Sequence, residues 1–130
     1  MKCLDTDFLV GVLRGVPQAK TKLGMIDKEG RAATTAITAF ELLNGARLSK
    51  NVEENINATL RLLSRLEVLY FDLVAADFAS QVFSELSTRG NLIDERDLFI
   101  GTICISRNLV LVTRNTRHFS RIKKLKIESW

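Results

Sequence analysis

Arg96-Asp97-Leu98-Phe99-Ile100-Gly101-Thr102-Ile103-Cys104-Ile105-Ser106, followed after Arg107-Asn108 by Leu109-Val110-Leu111-Val112, decides the fold class. Wound as a helix, the first stretch is apolar nearly all round, so it must lie deep, packed on a sheet. The second is a short continuous apolar run, the pattern of a buried strand. Working outward, short apolar runs alternate with longer amphipathic ones, which predicts an α/β fold with a mainly parallel sheet. Strands are expected at Lys2–Leu4, Ala32–Ile37, Val68–Phe71, Leu109–Val112 and Lys126–Glu128. Helices are expected at Thr6–Leu13, Gln18–Asp27, Phe40–Ser49, Val52–Arg65, Val74–Arg89 and Arg96–Ser106. Val52, Ile56, Leu60 and Leu63 recur at helical spacing in the fourth of these.

The 130 residues, 46% of them hydrophobic, suit a single domain over 1–130 that folds without a disulfide or metal staple. No repeat, low-complexity tract or linker interrupts them, and Pro17 is the sole proline. The longest uncharged runs, Ala32–Phe40 and Leu98–Ser106, have nine residues, whereas a membrane-spanning helix needs about 20. Asp5 and Asp7 interrupt the N-terminal apolar stretch, which excludes a signal peptide. The chain reads as soluble and cytoplasmic. Cys3 and Cys104 lack metal-site spacing and are expected as buried thiols; with His118 the only histidine, a structural zinc site is excluded.

Charge is segregated. Arg107, Arg114, Arg117, Arg121, Lys123, Lys124 and Lys126 fall in a stretch, Leu98–Ile127, that contains no acid. Subtracting those seven from the net charge of +4 leaves the remainder at −3. A polyanionic partner suits that distribution.

In an open α/β sheet ligands gather beyond the carboxyl ends of the strands. Asp5 ends the first expected strand, Glu41 stands near the start of the helix after the second, and Asp97 opens the buried helix. Thr113 and Asn115 follow the fourth strand. Each has a structural alternative. Asp5 or Thr6 can cap the first helix, Thr38 and Glu41 have capping-box spacing, as more loosely do Asp94 and Asp97, and Asn115 can cap a turn over Thr116–Ser120. Jointly, three carboxylates on one rim repel one another unless a cation sits among them. Mg²⁺ prefers oxygen ligands, typically one or two carboxylates with water and substrate phosphate. Acids on one rim beside a basic segment therefore point to metal-assisted attack on a phosphodiester. His118 has no nucleophile motif near it, and no Gly-rich phosphate loop occurs.

Four segments carry a family resemblance. Leu4-Asp5-Thr6-Asp7-Phe8-Leu9-Val10 resembles the opening motif of PIN-domain proteins, and Thr38-Ala39-Phe40-Glu41-Leu42-Leu43-Asn44-Gly45-Ala46 is similar to their T-x-x-E-L-x-x-G segment. Asp97-Leu98-Phe99-Ile100-Gly101 resembles D-x-x-I-A, and Leu111-Val112-Thr113-Arg114-Asn115-Thr116-Arg117-His118-Phe119 resembles the closing L-V-T motif. Length and the closing motif most resemble the VapC-type toxins of prokaryotic toxin–antitoxin pairs.

The resemblance implies a three-layer α/β/α sandwich, a Mg²⁺- or Mn²⁺-dependent ribonuclease, a homodimer and an inhibitory VapB-like antitoxin. By position, Asp5, Glu41 and Asp97 match the family's metal-binding acids, and Thr113 and Asn115 match its polar pair. Many relatives have aspartate where this chain has Asn115, and alanine where it has Gly101, a small-for-small change expected to leave close packing possible. Asp94 and Asp7 are candidates for supporting the metal ligands from behind, with Asp94 expected rather to cap its helix. Arg114, Arg117, Arg121, Lys123 and Lys124 are expected to hold RNA backbone by charge. Two rivals stand beside this reading. A phospho-receiver domain would need a strand ending in lysine, and none does; a catalytically weak PIN-like RNA-binding module would follow if the neutral Asn115 cost the site its metal.

Overall fold

The computed structural model describes residues 1–130. Its sheet has five parallel strands in the order β3-β2-β1-β4-β5: β1 (Lys2–Leu4), β2 (Ala33–Thr35), β3 (Glu67–Leu69), β4 (Val110–Val112) and β5 (Lys126–Glu128). Successive side chains on a strand face opposite ways, and the two halves of the core follow from that. Leu4 and Val112 join one buried cluster, while Cys3 and Leu111, one residue earlier on the same strands, join another.

The first cluster is completed by α1 (Thr6–Leu13), α2 (Pro17–Glu29), α3 (Ala36–Arg47) and α4 (Val52–Ser64), which contribute Phe8, Leu9, Leu23, Leu42 and Leu62. On the other face α5 (Leu73–Thr88), α6 (Glu95–Ser106) and the short α7 (Thr116–Phe119) bury Ala75, Ile100, Ile103, Cys104 and Phe119. Helices on both faces of a parallel sheet make the expected α/β/α sandwich, and burying Phe8 and Phe119 completely contributes about 1.5–3 kcal/mol each. As expected, α6 is the most deeply buried helix, with Leu98 and every residue from Ile100 to Cys104 out of solvent. Both cysteines are buried free thiols. A methyl group at Gly101 would stand 2.7 Å from Ile122 Cδ1, the free end of that side chain, so alanine there would require Ile122 to shift. No helix is long and apolar enough to cross a membrane.

One boundary departs from expectation by more than two residues. The run Ala32–Ile37 is not all strand: β2 ends at Thr35 and α3 starts at Ala36, four residues before Phe40. The Thr35 hydroxyl accepts the Thr38 N–H at 3.0 Å, so Thr35 caps the helix. The Thr38–Glu41 capping box is thereby overturned, since both residues lie inside α3.

Because β1 pairs with β2 on one side and β4 on the other, the chain leaves the sheet centre in two directions. A crevice opens where they part, beyond the carboxyl ends of β1 and β4.

Candidate active site

Asp5 is the first residue beyond β1, and its N–H donates to the Val112 carbonyl at 3.0 Å, which pins it to the end of β4. The buried Thr34 hydroxyl donates to the Leu4 carbonyl at 2.7 Å and fixes the same turn from the β2 side. Asp5 occupies the N-cap position of α1 but its side chain makes no capping bond. The carboxylate turns instead to Thr113, whose hydroxyl stands 2.7 Å from Oδ2. Only 5% of Asp5 is exposed. Burial pushes its pKa up to about 7, and the charges of Asp7 and Asp97 push the same way, against the Thr113 hydroxyl and the Thr6 N–H.

Thr113 is held by its N–H on the Glu128 carbonyl, 3.0 Å away. Its one hydroxyl hydrogen goes to Asp5, and its oxygen accepts the Asn115 N–H at 3.0 Å. Asn115 heads α7 without capping it; its side-chain amide donates to Asp97 Oδ2 at 3.3 Å. Asp97, in the first turn of α6, has its pKa raised by burial, Asp94 and Glu41, against His118 and Asn115. Asp94 does cap α6, accepting the Arg96 N–H at 2.9 Å. Asp5, Thr113, Asn115 and Asp97 thus form one hydrogen-bonded run across the crevice.

Glu41 approaches from α3. Its Oε1 accepts the Thr6 hydroxyl at 2.7 Å, and Thr6 in turn lies 3.0 Å from the Thr38 hydroxyl. Arg96 Nη1 stands 3.6 Å from Oε2, with its guanidinium also over the Phe40 ring. No three Asp, Glu, His or Cys side chains are gathered into a finished set of ligands. The donor chemistry nevertheless fits a hard divalent cation. Two carboxylates with raised pKa face each other across the crevice, no lysine or arginine is paired with either, and the basic side chain paired with Asp97 is His118, 3.9 Å away.

The basic residues have different neighbours. Arg114 and Arg117 are exposed beside the crevice, Arg114 immediately after Thr113. Arg121 donates to the Leu92 carbonyl at 2.8 Å, and with Lys123 and Lys124 it lines a separate cleft against α5. Arg107 pairs with Asp72 at 3.3 Å, and Lys126 with Asn108.

Thr6, Arg96 and Trp130 are at the site without having been singled out for it. Thr6 and Arg96 adjoin Asp5 and Asp97 in sequence, a signal that could have found them; Trp130 gave none. The last reaches Asp7, whose Oδ1 accepts the indole N–H at 3.2 Å while Oδ2 accepts the Arg114 N–H at 2.9 Å.

Comparison with known proteins gives a consistent result. The family model for the PIN domain matches residues 2–125. The tRNA(fMet)-specific endonuclease VapC of Shigella flexneri is 31% identical over 127 residues, 98% of this chain and 96% of that protein. Its counterpart of the same name in Salmonella typhimurium is 34% identical over equal shares. Among solved structures, VapBC2 from Rickettsia felis bound to a DNA fragment from its promoter superposes with a TM-score of 0.92. That match is at 30% identity and covers 99% of this chain and 98% of the matched one.

Proposed function

The chain belongs to the PIN-domain family, and from that premise we propose that it is a divalent-metal-dependent endoribonuclease, the toxin partner of a VapBC-type pair. The observation that carries the reading is Asp5: a carboxylate almost wholly buried, facing Asp7 and Asp97, with no basic side chain to balance it. Asp5, Glu41 and Asp97 would hold Mg²⁺ or Mn²⁺. When bound, such an ion supplies Lewis-acid polarisation of the scissile phosphate and a water acidified enough to attack it. Thr113 keeps Asp5 oriented, Asn115 does the same for Asp97, and Arg114 and Arg117 offer charge to the RNA backbone on the same rim. The names of the relatives, endonucleases acting on RNA, support this substrate over DNA.

The partners are RNA, a VapB-like antitoxin and a second copy of the chain. The antitoxin suits the cavity beside Glu41, about 260 Å³ between α1, α3 and α4, from which an inhibitor's arginine or lysine can reach the acids. Tyr70, Leu73 and Val74 expose apolar side chains just before and at the start of α5 that suit the homodimer.

The test is cleavage of a mixed RNA pool by purified protein with Mg²⁺, with Mn²⁺ and with EDTA, beside the Asp97→Ala variant. Metal-dependent cutting absent from the variant is expected. A folded, antitoxin-free protein that left tRNA and ribosomal RNA intact under every condition would overturn the reading in favour of an RNA-binding module.

A further inference from the structure

Trp130 occupies a seat made for an aromatic ring. Phe8 meets it edge-on, with ring centroids 5.3 Å apart at 73°. Beneath it Gly11 has no side chain, and a methyl group there would fall 2.9 Å from the indole. The ring's polar edge and exposed face both engage the rim of the crevice. Its N–H donates to Asp7 Oδ1 at 3.2 Å, and the other oxygen of that carboxylate accepts the Arg114 N–H at 2.9 Å and lies 3.3 Å from the Thr113 hydroxyl. The Arg114 guanidinium lies over the indole at 3.6 Å, with its Nε–H donated to the Trp130 main-chain oxygen at 2.9 Å. Stacking and that bond spend the guanidinium's face and one N–H, and fix the plane in which its two Nη groups lie.

We propose that Trp130 is a positioning residue with two arms. Through Asp7, which accepts the Arg114 N–H, it fixes the backbone next to Thr113 and so keeps the Thr113 hydroxyl on Asp5, and through its ring it presents the Arg114 guanidinium, flat and pre-oriented, to an RNA phosphate beside the scissile bond. The inference rests on the nuclease reading above and deepens it. The two arms act on different quantities. Loosening Asp7 lets Thr113 shift relative to Asp5, which lowers kcat, since displacements of about 1 Å at a reacting centre cost up to about 100-fold. Releasing Arg114 costs a pre-organised phosphate contact, which raises KM.

Trp130 is the only tryptophan, so its fluorescence reports the second arm directly. A short single-stranded RNA titrated into the protein in EDTA is expected to change the Trp130 emission saturably in wild type, and to leave it unchanged in Arg114→Gln. With metal, Trp130→Phe keeps a ring under Arg114 but loses the N–H. Its kcat is expected to fall roughly tenfold with KM within about twofold of wild type. Trp130→Leu should raise KM as well. In an Asp7→Ala background, Trp130→Phe should have no further effect on kcat, because the arm it breaks is already gone. Thermal melts establish that each variant is folded, and should Trp130→Leu fail there, Trp130→Phe decides. Wild-type kcat in Trp130→Phe, multiplicative effects of the two substitutions, or RNA binding that leaves Trp130 emission unmoved would each overturn the proposal. A wild-type protein that binds RNA with the expected fluorescence change yet never cleaves overturns the nuclease reading and the Asp7 arm, and leaves the Arg114 arm standing.

Discussion

The Thr113 hydroxyl and the Asp5 carboxylate, 2.7 Å apart and 108 residues apart in sequence, tie the end of the central strand β1 to that of its neighbour β4. That bond stabilises the charged form of Asp5 in a place where burial works against charge. The balance goes to burial, and the pKa settles at about 7 instead of 3.8.

A stability prediction follows for the metal-free protein. A carboxyl whose folded pKa lies above its unfolded value binds more protons when folded, so stability falls as pH rises from about 3.8 to about 7 and levels off beyond. Asp5→Asn removes that loss. In EDTA at pH 8 the variant should be more stable than wild type by an amount on the order of a few kcal/mol, and the gap should close near pH 4. Added Mn²⁺ should raise the melting temperature of wild type and leave the variant unmoved. Paired thermal melts across that pH range, with and without Mn²⁺, check both halves.

Arg96 competes for Glu41. The pair is 3.6 Å apart and more than half of the Arg96 side chain is exposed, so it contributes about 0.2–1 kcal/mol. Arg96→Gln should therefore tighten Mn²⁺ binding by up to about fivefold in calorimetry, with no loss of folding. Glu41→Gln in the same titration should weaken Mn²⁺ binding, and an unchanged affinity there would mean that Glu41 takes no part in holding the ion.

Away from the crevice, Glu128 on β5 accepts Lys2 from β1 at 3.0 Å and Lys22 from α2. Hydrogen bonds from Lys22 and Lys2 hold its pKa below 4.5, and Glu128 in turn raises that of Lys2 above 10.5. A depressed carboxylate contributes stability above its unfolded pKa and loses it as pH falls through the folded value; the raised lysine contributes below 10.5 and loses it as pH rises. Glu128→Gln should thus cost about 1 kcal/mol between pH 5 and 9, less in high salt and progressively less as pH falls below the ordinary carboxylate range. Denaturant melts at those pH values measure it.

Much of this arrangement was legible before the structure. Asp5, Asp97, Thr113 and Asn115 stand at element ends, and the alternation of apolar runs located those ends. The start of α3 was not legible. Thr35 and Thr38 are equally able to cap, and the choice is made by where the Thr35–Leu69 pairing of β2 with β3 stops, a contact 34 residues away in sequence. The run of basic residues gave no sign of its partners for a similar reason: Arg114 meets the Trp130 main chain, Arg121 the Leu92 carbonyl and Arg107 the Asp72 carboxylate, contacts 16, 29 and 35 residues away in sequence. Trp130 meets Asp7 across 123 residues with no periodicity to announce it.

Asn115 is where this site carries less charge than many of the family's patterns. Its amide donates to Asp97, so the neutral residue relieves crowding among acids that burial already disfavours as anions. Asn115→Asp replaces that donor with a second carboxylate facing Asp97. Two like charges at hydrogen-bond distance cannot both ionise cheaply, so the metal-free variant should be less stable above pH 6, by about 1–3 kcal/mol. A divalent ion reverses the sign, because an added anionic ligand raises affinity for a hard cation. Mn²⁺ should bind the variant roughly tenfold more tightly and restore its melting temperature to that of wild type or above. If Mn²⁺ bound no better, Asn115 would lie outside the reach of the ion, and its role would be confined to orienting Asp97.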